Sequence, residues 1–277
     1  MRGGLILGLI VLAASMLLGE AALADQPKLW GLGLQEAASP VMEDIRWFHD
    51  SLMMPIITII TLFVTALMVY VVVRFNKKAN PTPSNFTHNT TVEVLWTVIP
   101  VIILVVIAIP SFKLLYKADS TSEPEMTLKV TGNQWYWSYE YPDNGDINFD
   151  SNLLEGKDLP EGAPRLLETD NKVVLPVDTN IRILVTASDV LHNWAVPAFG
   201  IKIDTIPGRL RETWVRITKE GTYYGQCSEL CGVRHAYMPI QVQAVSKEKF
   251  QAWVSTQSAE APQTSPSSAI TKLAAAQ

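Results

Sequence analysis

Cysteine is scarce in this chain: two among 277 residues, Cys227 and Cys231, with only four histidines beside them. One pair allows a single disulfide at most, and a bridge across four residues would close a loop too short to restrain the unfolded chain much. No cysteine stands at the end of the N-terminal apolar run, where a leader would be cleaved, which argues against lipid attachment there. The sequence also has no Cys-x-x-Cys-His segment, no glycine-rich phosphate loop, no internal repeat and no basic patch. Covalent haem, nucleotide phosphates, repeat arrays and nucleic acid therefore drop out as candidate functions. Charge is missing too, over long stretches, and those stretches define the first half of the molecule.

A mean hydropathy above zero, with apolar residues at 48% of the chain, implies that part of it sits in lipid. Arg2, the run Leu5 to Leu18 and the small-residue close Ala22-Leu-Ala24 predict a secretory signal peptide over 1–24, cleaved before Asp25. Residues 25–48 are then an N-terminal segment outside the cytoplasm. Met53 to Val73 holds 21 residues without a charge, enough to cross a hydrocarbon core of about 30 Å. A second uncharged run starts at Val94, passes Pro100 and Pro110 and ends near Leu115; proline is tolerated in membrane helices. Together they predict a two-helix hairpin over 49–117 with a cytoplasmic loop at about 76–91, turned by Asn80, Pro81, Pro83 and Asn85. Arg74, Lys77 and Lys78 put that loop inside. Lys113 and Lys117 argue weakly the other way, and the signal peptide decides for an exterior C-terminal domain.

From Met126 the apolar period changes from helical to two, as strands require. Met126, Leu128 and Val130 alternate with polar residues, and Trp135, Trp137, Tyr139 and Tyr141 alternate in the opposite phase. The phase switch at Gly132-Asn133 predicts a β-bulge or bend. Further strands are expected at Val173 to Val177, Ile181 to Ala187, Thr213 to Thr218, Thr222 to Gln226 and Ile240 to Val245, giving an antiparallel sandwich or barrel over 118–254. Asp150 to Asn171 reads as a surface insertion, a helical period occupies Lys247 to Val254, and 255–277 as a disordered tail.

What this domain does have is a concentration of soft ligands. Cys227, Cys231, His235 and Met238 fall within twelve residues, and His192 stands upstream. Thiolate, imidazole and a long thioether contact are a copper electron-transfer set. Two cysteines point to two ions: each thiolate bridges both, His192 and His235 supply one imidazole per ion, Met238 a weak axial contact, and a main-chain oxygen near Glu229 the last ligand. A Cys2His2 zinc site fits the count, but its close-paired spacings are absent and Met238 would be idle.

These residues resemble subunit II of the haem–copper cytochrome c oxidases. The resemblance covers nearly the whole mature chain: Phe86-Thr-His-Asn, Glu93-Val-Leu-Trp96-Thr-Val-Ile-Pro100, Gln134-Trp-Tyr-Trp-Ser-Tyr-Glu140, Ala195-Val-Pro-Ala-Phe-Gly200, Asp204 with Pro207-Gly-Arg209, and the highly specific Gly225-Gln-Cys-Ser-Glu-Leu-Cys-Gly232. It implies a cupredoxin-like Greek-key barrel or sandwich carrying the dinuclear centre CuA on the ligands above. By resemblance, the Glu229 carboxylate also reaches a magnesium or manganese ion shared with subunit I. Trp135, with Tyr136 beside it, is the electron-entry point, where the pattern alone would make Trp135 a core residue like Trp137.

The resemblance further implies that Glu93 stands at a proton-uptake entrance, where the plain alternative is a solvated carboxylate. Asp204 and Arg209 lie near the haem propionates of subunit I, or simply close a turn. His49 and His88 receive no role. Between Asp119 and Lys249 nineteen Asp/Glu stand against thirteen Lys/Arg, compatible with docking a basic cytochrome c; Glu140, Asp170 and Asp189 are the docking carboxylates that the resemblance suggests. Asn133 departs from the histidine of many relatives, outside the ligand set. The implied setting is a bacterial inner membrane, with subunits I and III as partners and the C-terminal domain in the periplasm. Two other functions compete: the copper-free structural subunit of a quinol oxidase, which would lack these ligands, and a membrane-anchored copper-delivery or sensing protein holding one exposed ion.

Overall fold

Ser39 begins the first helix, with an extended backbone and an Oγ that accepts the Met42 amide at 3.0 Å, and Pro40 occupies the first turn, where its missing N–H costs nothing. The computed structural model describes residues 27–28, 30–82, 84–119 and 123–260. The expected signal peptide lies outside them. Helix α1 runs unbroken over Pro40–Arg74, so it begins nine residues before the expected 49 and takes in part of the N-terminal segment. A π-helical stretch at Phe48–Met53 precedes Pro55, and the Met54 amide reaches back five residues to His49 O. The wider turn accommodates a proline that has no N–H to donate and whose ring would crowd the preceding turn.

Asn76 ends α1 by donating to Val72 and Val73 carbonyls and accepting the Lys78 and Ala79 amides. Helix α2 spans Thr90–Asp119, longer at both ends than the uncharged run, and passes through Pro100 and Pro110. Asn89 Oδ1 accepts the Val92 amide and Glu93 Oε1 accepts the Asn89 amide, both at 3.2 Å, a reciprocal N-terminal cap. Neither Met54–Arg74 nor α2 buries a residue within the chain, and both are long and apolar enough to cross a membrane.

Among the described residues, ten strands follow: β1 Met126–Asn133, β2 Tyr136–Tyr141, β3 Ile147–Ser151, β4 Val173–Pro176, β5 Ile181–Ala187, β6 His192–Val196, β7 Ile201–Thr205, β8 Arg211–Val215, β9 Gly221–Cys227 and β10 Pro239–Val245. They form two five-stranded sheets, ordered β3-β2-β1-β5-β8 and β4-β10-β9-β6-β7. The sheets enclose a core that includes fully buried Leu128, Trp137, Tyr139, Ile183 and Trp194. The expected sandwich is present, but it is mixed rather than antiparallel: β1 pairs β5, and β4 pairs β10, in parallel.

The phase switch also has a different cause. Asn133 pairs with Tyr136, so Gln134-Trp135, joined by a cis peptide, is the tip of a hairpin and Gly132-Asn133 is the end of a regular strand. Strands β3, β6 and β7 escaped the sequence pattern, and β3 reaches into the expected surface insertion. Helix α3, Lys247–Glu260, carries the helical period past Val254 into the expected tail; 261–277 lie outside the described residues.

The β domain is fastened to the helices near the start of α1 and the end of α2. Ser39 Oγ donates to Phe199 O at 2.7 Å, Trp214 Nε1 to Lys117 O at 2.8 Å and Thr213 Oγ1 to Ala118 O at 3.2 Å. Gly200, at φ +70, allows the approach of α1, since a Cβ there would meet Ile45 at 2.7 Å.

Candidate metal centre

Three strand ends and one hairpin tip converge at a single end of the sandwich. His192 opens β6, where pairing with Thr205 of β7 fixes its backbone. Its ring is fully buried, edge-on to Trp137 with centroids 6.0 Å apart. Cys227 closes β9, and its amide donates to Met238 O at 3.2 Å. Met238, also buried, lies just before β10. Its carbonyl takes a second hydrogen bond from Trp137 Nε1 at 3.2 Å. Coming after the expected strand Ile181 to Ala187, His192 would be placed by the sequence on a loop; it instead opens β6.

The donor atoms meet. Cys227 Sγ and Cys231 Sγ are 3.8 Å apart, both thiols free and buried. His192 Nδ1 lies 4.0 Å from Cys227 Sγ, and His235 Nδ1 lies 3.5 Å from Cys231 Sγ. Met238 Sδ is 3.5 Å from Cys231 Sγ, and the Glu229 carbonyl is 3.3 Å from Cys227 Sγ. All six expected ligands are therefore in one place. The Glu229 residue itself is solvent-exposed.

The hairpin tip clamps this cluster. Cys231 O accepts Gln134 Nε2 at 2.8 Å and Trp135 Nε1 at 3.2 Å. Gly232, at φ +120, lies under the indole of Trp135, which an added Cβ would meet at 3.0 Å. Trp135 and Tyr136 are half-buried, unlike the enclosed Trp137 and Tyr139. Behind His192, Asp189 Oδ1 accepts the imidazole Nε2 at 2.8 Å, and the same carboxylate accepts the Gln134 and Val190 amides. A carboxylate on the far nitrogen orients a ligating imidazole and raises its basicity.

The two thiols differ in acidity. Burial opposes ionisation of Cys227, but hydrogen bonds from His192 and neighbouring amides outweigh it and bring the thiol down to about 7. Burial, then the Cys227 thiolate beside it, push Cys231 up to about 12. Cys231 therefore stays a thiol beside the Cys227 thiolate, and ionising it as well would require positive charge between the two sulfurs. The soft sulfur donors and imidazoles suit copper, so the residues fit the group.

Other expected residues lie elsewhere. Asp204 accepts Asn193 Nδ2 at 2.7 Å and faces Arg211 at 3.6 Å; Arg209 donates its amide to Ile206 O, which closes a turn. Glu140 pairs with Lys129 at 2.8 Å. Asp170, exposed, accepts the Asn152 and Asn171 amides. Asn133 is buried between Ser138 and Ser188, outside the ligand set. Gln134, Trp137 and Gly132 support the centre without having been singled out; a Cβ on Gly132 would meet the His192 ring at 2.9 Å. Their sequence signals were the phase switch at Gly132 and the Gln134-to-Glu140 segment that carries the resemblance.

The family model described as cytochrome c oxidase subunit II, periplasmic domain, matches residues 126–245, and that of the subunit II transmembrane domain matches 27–114. A probable cytochrome c oxidase subunit 2 of Rickettsia bellii is 49% identical over 247 residues, covering 89% of this chain and 91% of that protein. The cytochrome c oxidase subunit 2 of Branchiostoma floridae is 50% identical over 222 residues, 80% of this chain and 94% of that one. The solved periplasmic domain of subunit II of the Bradyrhizobium japonicum cytochrome oxidase is 51% identical, covers 50% of this chain and 96% of that one, and has a TM-score of 0.47. With two membrane-spanning helices, a β-sandwich and a His/Cys/Cys cluster suited to copper, the chain belongs to the cytochrome c oxidase subunit II family.

Proposed function

We propose that this chain is the electron-entry subunit of a respiratory cytochrome c oxidase, anchored in a bacterial inner membrane with its β domain in the periplasm. The observation that carries the reading is the pairing of donors: each buried thiol has one imidazole nitrogen beside it, His192 with Cys227 and His235 with Cys231. Cys227 with His192, and Cys231 with His235, would hold two copper ions. When bound, the copper pair supplies a one-electron relay from cytochrome c to haem a in subunit I, where oxygen is reduced.

The chain's own residues do the rest. Asp189 orients His192 from behind, Trp137 holds Met238 through its carbonyl, and Gln134 and Trp135 fix Cys231 through its carbonyl, so the ligands keep one geometry through a change of oxidation state. Trp135 extends the centre toward solvent on a single hydrogen-bonded step, which suits it to electron entry, with Tyr136 adjacent. Glu140, Asp170 and Asp189 contribute to an acidic face for cytochrome c. The exposed Glu229 carboxylate is available to magnesium or manganese at the boundary with subunit I, Asp204 and Arg209 to the same partner, and Glu93 to proton uptake at the other membrane face. Subunit III completes the set of partners. A quinol-oxidase subunit without copper would have no use for this donor set.

The test is the copper content and paramagnetic resonance spectrum of the purified full chain. Two coppers per chain with one electron shared over both are expected, and Cys227→Ser should remove the shared-spin signal and cytochrome c-driven turnover. A single ion with unshared spin, or intact turnover in Cys227→Ser, would defeat the reading.

A further inference from the structure

Where the β-domain ends of α1 and α2 meet, they enclose a cleft of about 380 Å³, lined by Asp44, Trp47, Phe48, Pro110, Lys113, Leu114 and Lys117. The spacing explains why these residues share it. On α1, 44, 47 and 48 lie on one helical face, as do 110, 113, 114 and 117 on α2. We propose that this cleft binds the headgroup of one anionic phospholipid, with Lys113 as the phosphate's cation and Trp47 as its aromatic wall.

Depth supports a lipid as occupant. Val94 to Phe112 holds nineteen residues without a charge, about 28 Å of helix against a hydrocarbon core of about 30 Å. Lys113 is the first charge beyond it and lies at headgroup level. Trp47, 58% exposed, lies just beyond the uncharged run of α1 at the same end, where tryptophan is enriched. The lower part of the cleft, Phe48, Pro110 and Leu114, is apolar and suits the start of an acyl chain.

Charge supports an anionic one. Lys117 is already matched, its Nζ at 2.5 Å from Asp44 Oδ2 and 3.3 Å from Pro40 O. Lys113 makes no ion pair among the described residues, leaving the cleft with one uncompensated positive charge, equal in magnitude and opposite in sign to that of one phosphodiester. It also accounts for a lysine on the face of the membrane that the positive-inside pattern leaves poor in cations. The inference rests on the two-pass reading but not on electron transfer.

The experiment is native mass spectrometry of the full chain released from nanodiscs of phosphatidylcholine doped with phosphatidylglycerol. One retained phosphatidylglycerol is expected. Lys113→Gln should lower its occupancy about fivefold, the effect of one interfacial lysine. Lys113→Arg should keep it, Trp47→Ala should lower it, and Lys78→Gln at the opposite end should leave it unchanged. Equal retention by wild type and Lys113→Gln, or equal retention of phosphatidylcholine, would overturn the proposal. So would displacement by inorganic phosphate, which would make this a free-phosphate site. Copper content, which the cleft does not touch, reports that each variant is folded.

Discussion

Trp135 differs from Trp137 and Tyr139 in its exposure. Trp137 and Tyr139 are enclosed by the two sheets, whereas Trp135 reaches over the hairpin tip to Cys231 O. Trp135→Phe removes that N–H, but Gln134 Nε2 still satisfies the carbonyl, so the fold should lose no more than about 1 kcal/mol. Copper content and spectrum should stay as in the wild type while rapid-mixing kinetics with reduced cytochrome c slow. Unchanged kinetics would remove Trp135 from the entry step. Asp189 carries the opposite lesson. A sequence reading sees an acidic surface residue, but its carboxylate is occupied by the buried imidazole of His192 and two amides, contacts that only the folded loop brings about.

At the scale of the element, the hairpin β1–β2 governs the metal centre as much as the ligand loop does. Gly132→Ala would set a methyl 2.9 Å from the His192 ring and 3.0 Å from Thr205 Oγ1, a buried overpacking of about 1–3 kcal/mol. Lower thermal stability of the copper-free chain and weaker copper retention are expected together. If only stability fell, the imidazole would not be the group displaced. The alternating phases of Met126 to Tyr141 announced both strands; the position of the turn did not follow, because Gly132-Asn133 and Gln134-Trp135 are both compatible with a phase change and only pairing across the hairpin decides between them.

Helix α2 poses a question of the same kind at its start, where Glu93 closes the cap on Asn89. Glu93→Gln keeps an acceptor for that amide and removes the charge, so helix stability should hold within about 0.5 kcal/mol while proton uptake by the assembled oxidase slows. Glu93→Ala should lose both, with about 0.5–2 kcal/mol from the cap. Unaltered proton uptake in Glu93→Gln would leave Glu93 a capping residue alone.

Across the whole molecule, the acidic excess of the β domain is spread over separate elements: Glu140 on β2, Asp170 before β4 and Asp189 before β6. Glu140→Gln combined with Asp170→Asn keeps the acceptors that Asn152 and Asn171 use and leaves the His192 brace untouched. Cytochrome c affinity should fall most at low ionic strength and converge on the wild type as salt screens the face. A salt dependence identical to that of the wild type would relocate the docking surface. Asp189→Asn, by contrast, should also disturb copper, and is the less discriminating variant.

The sequence by itself determined the two spans, because uncharged length is a local property, and the candidate soft donors, because they crowd within twelve residues and the chain has few others to offer. Tertiary structure decided what depends on distant partners. It made two strand pairings parallel, brought His192 across from another strand to Cys227, tied Asp189 to the His192 imidazole, paired Asp204 with Arg211, and set Lys113 in a cleft between two helices. Local pattern fixes which face of a segment is apolar; only packing fixes which other segment covers it.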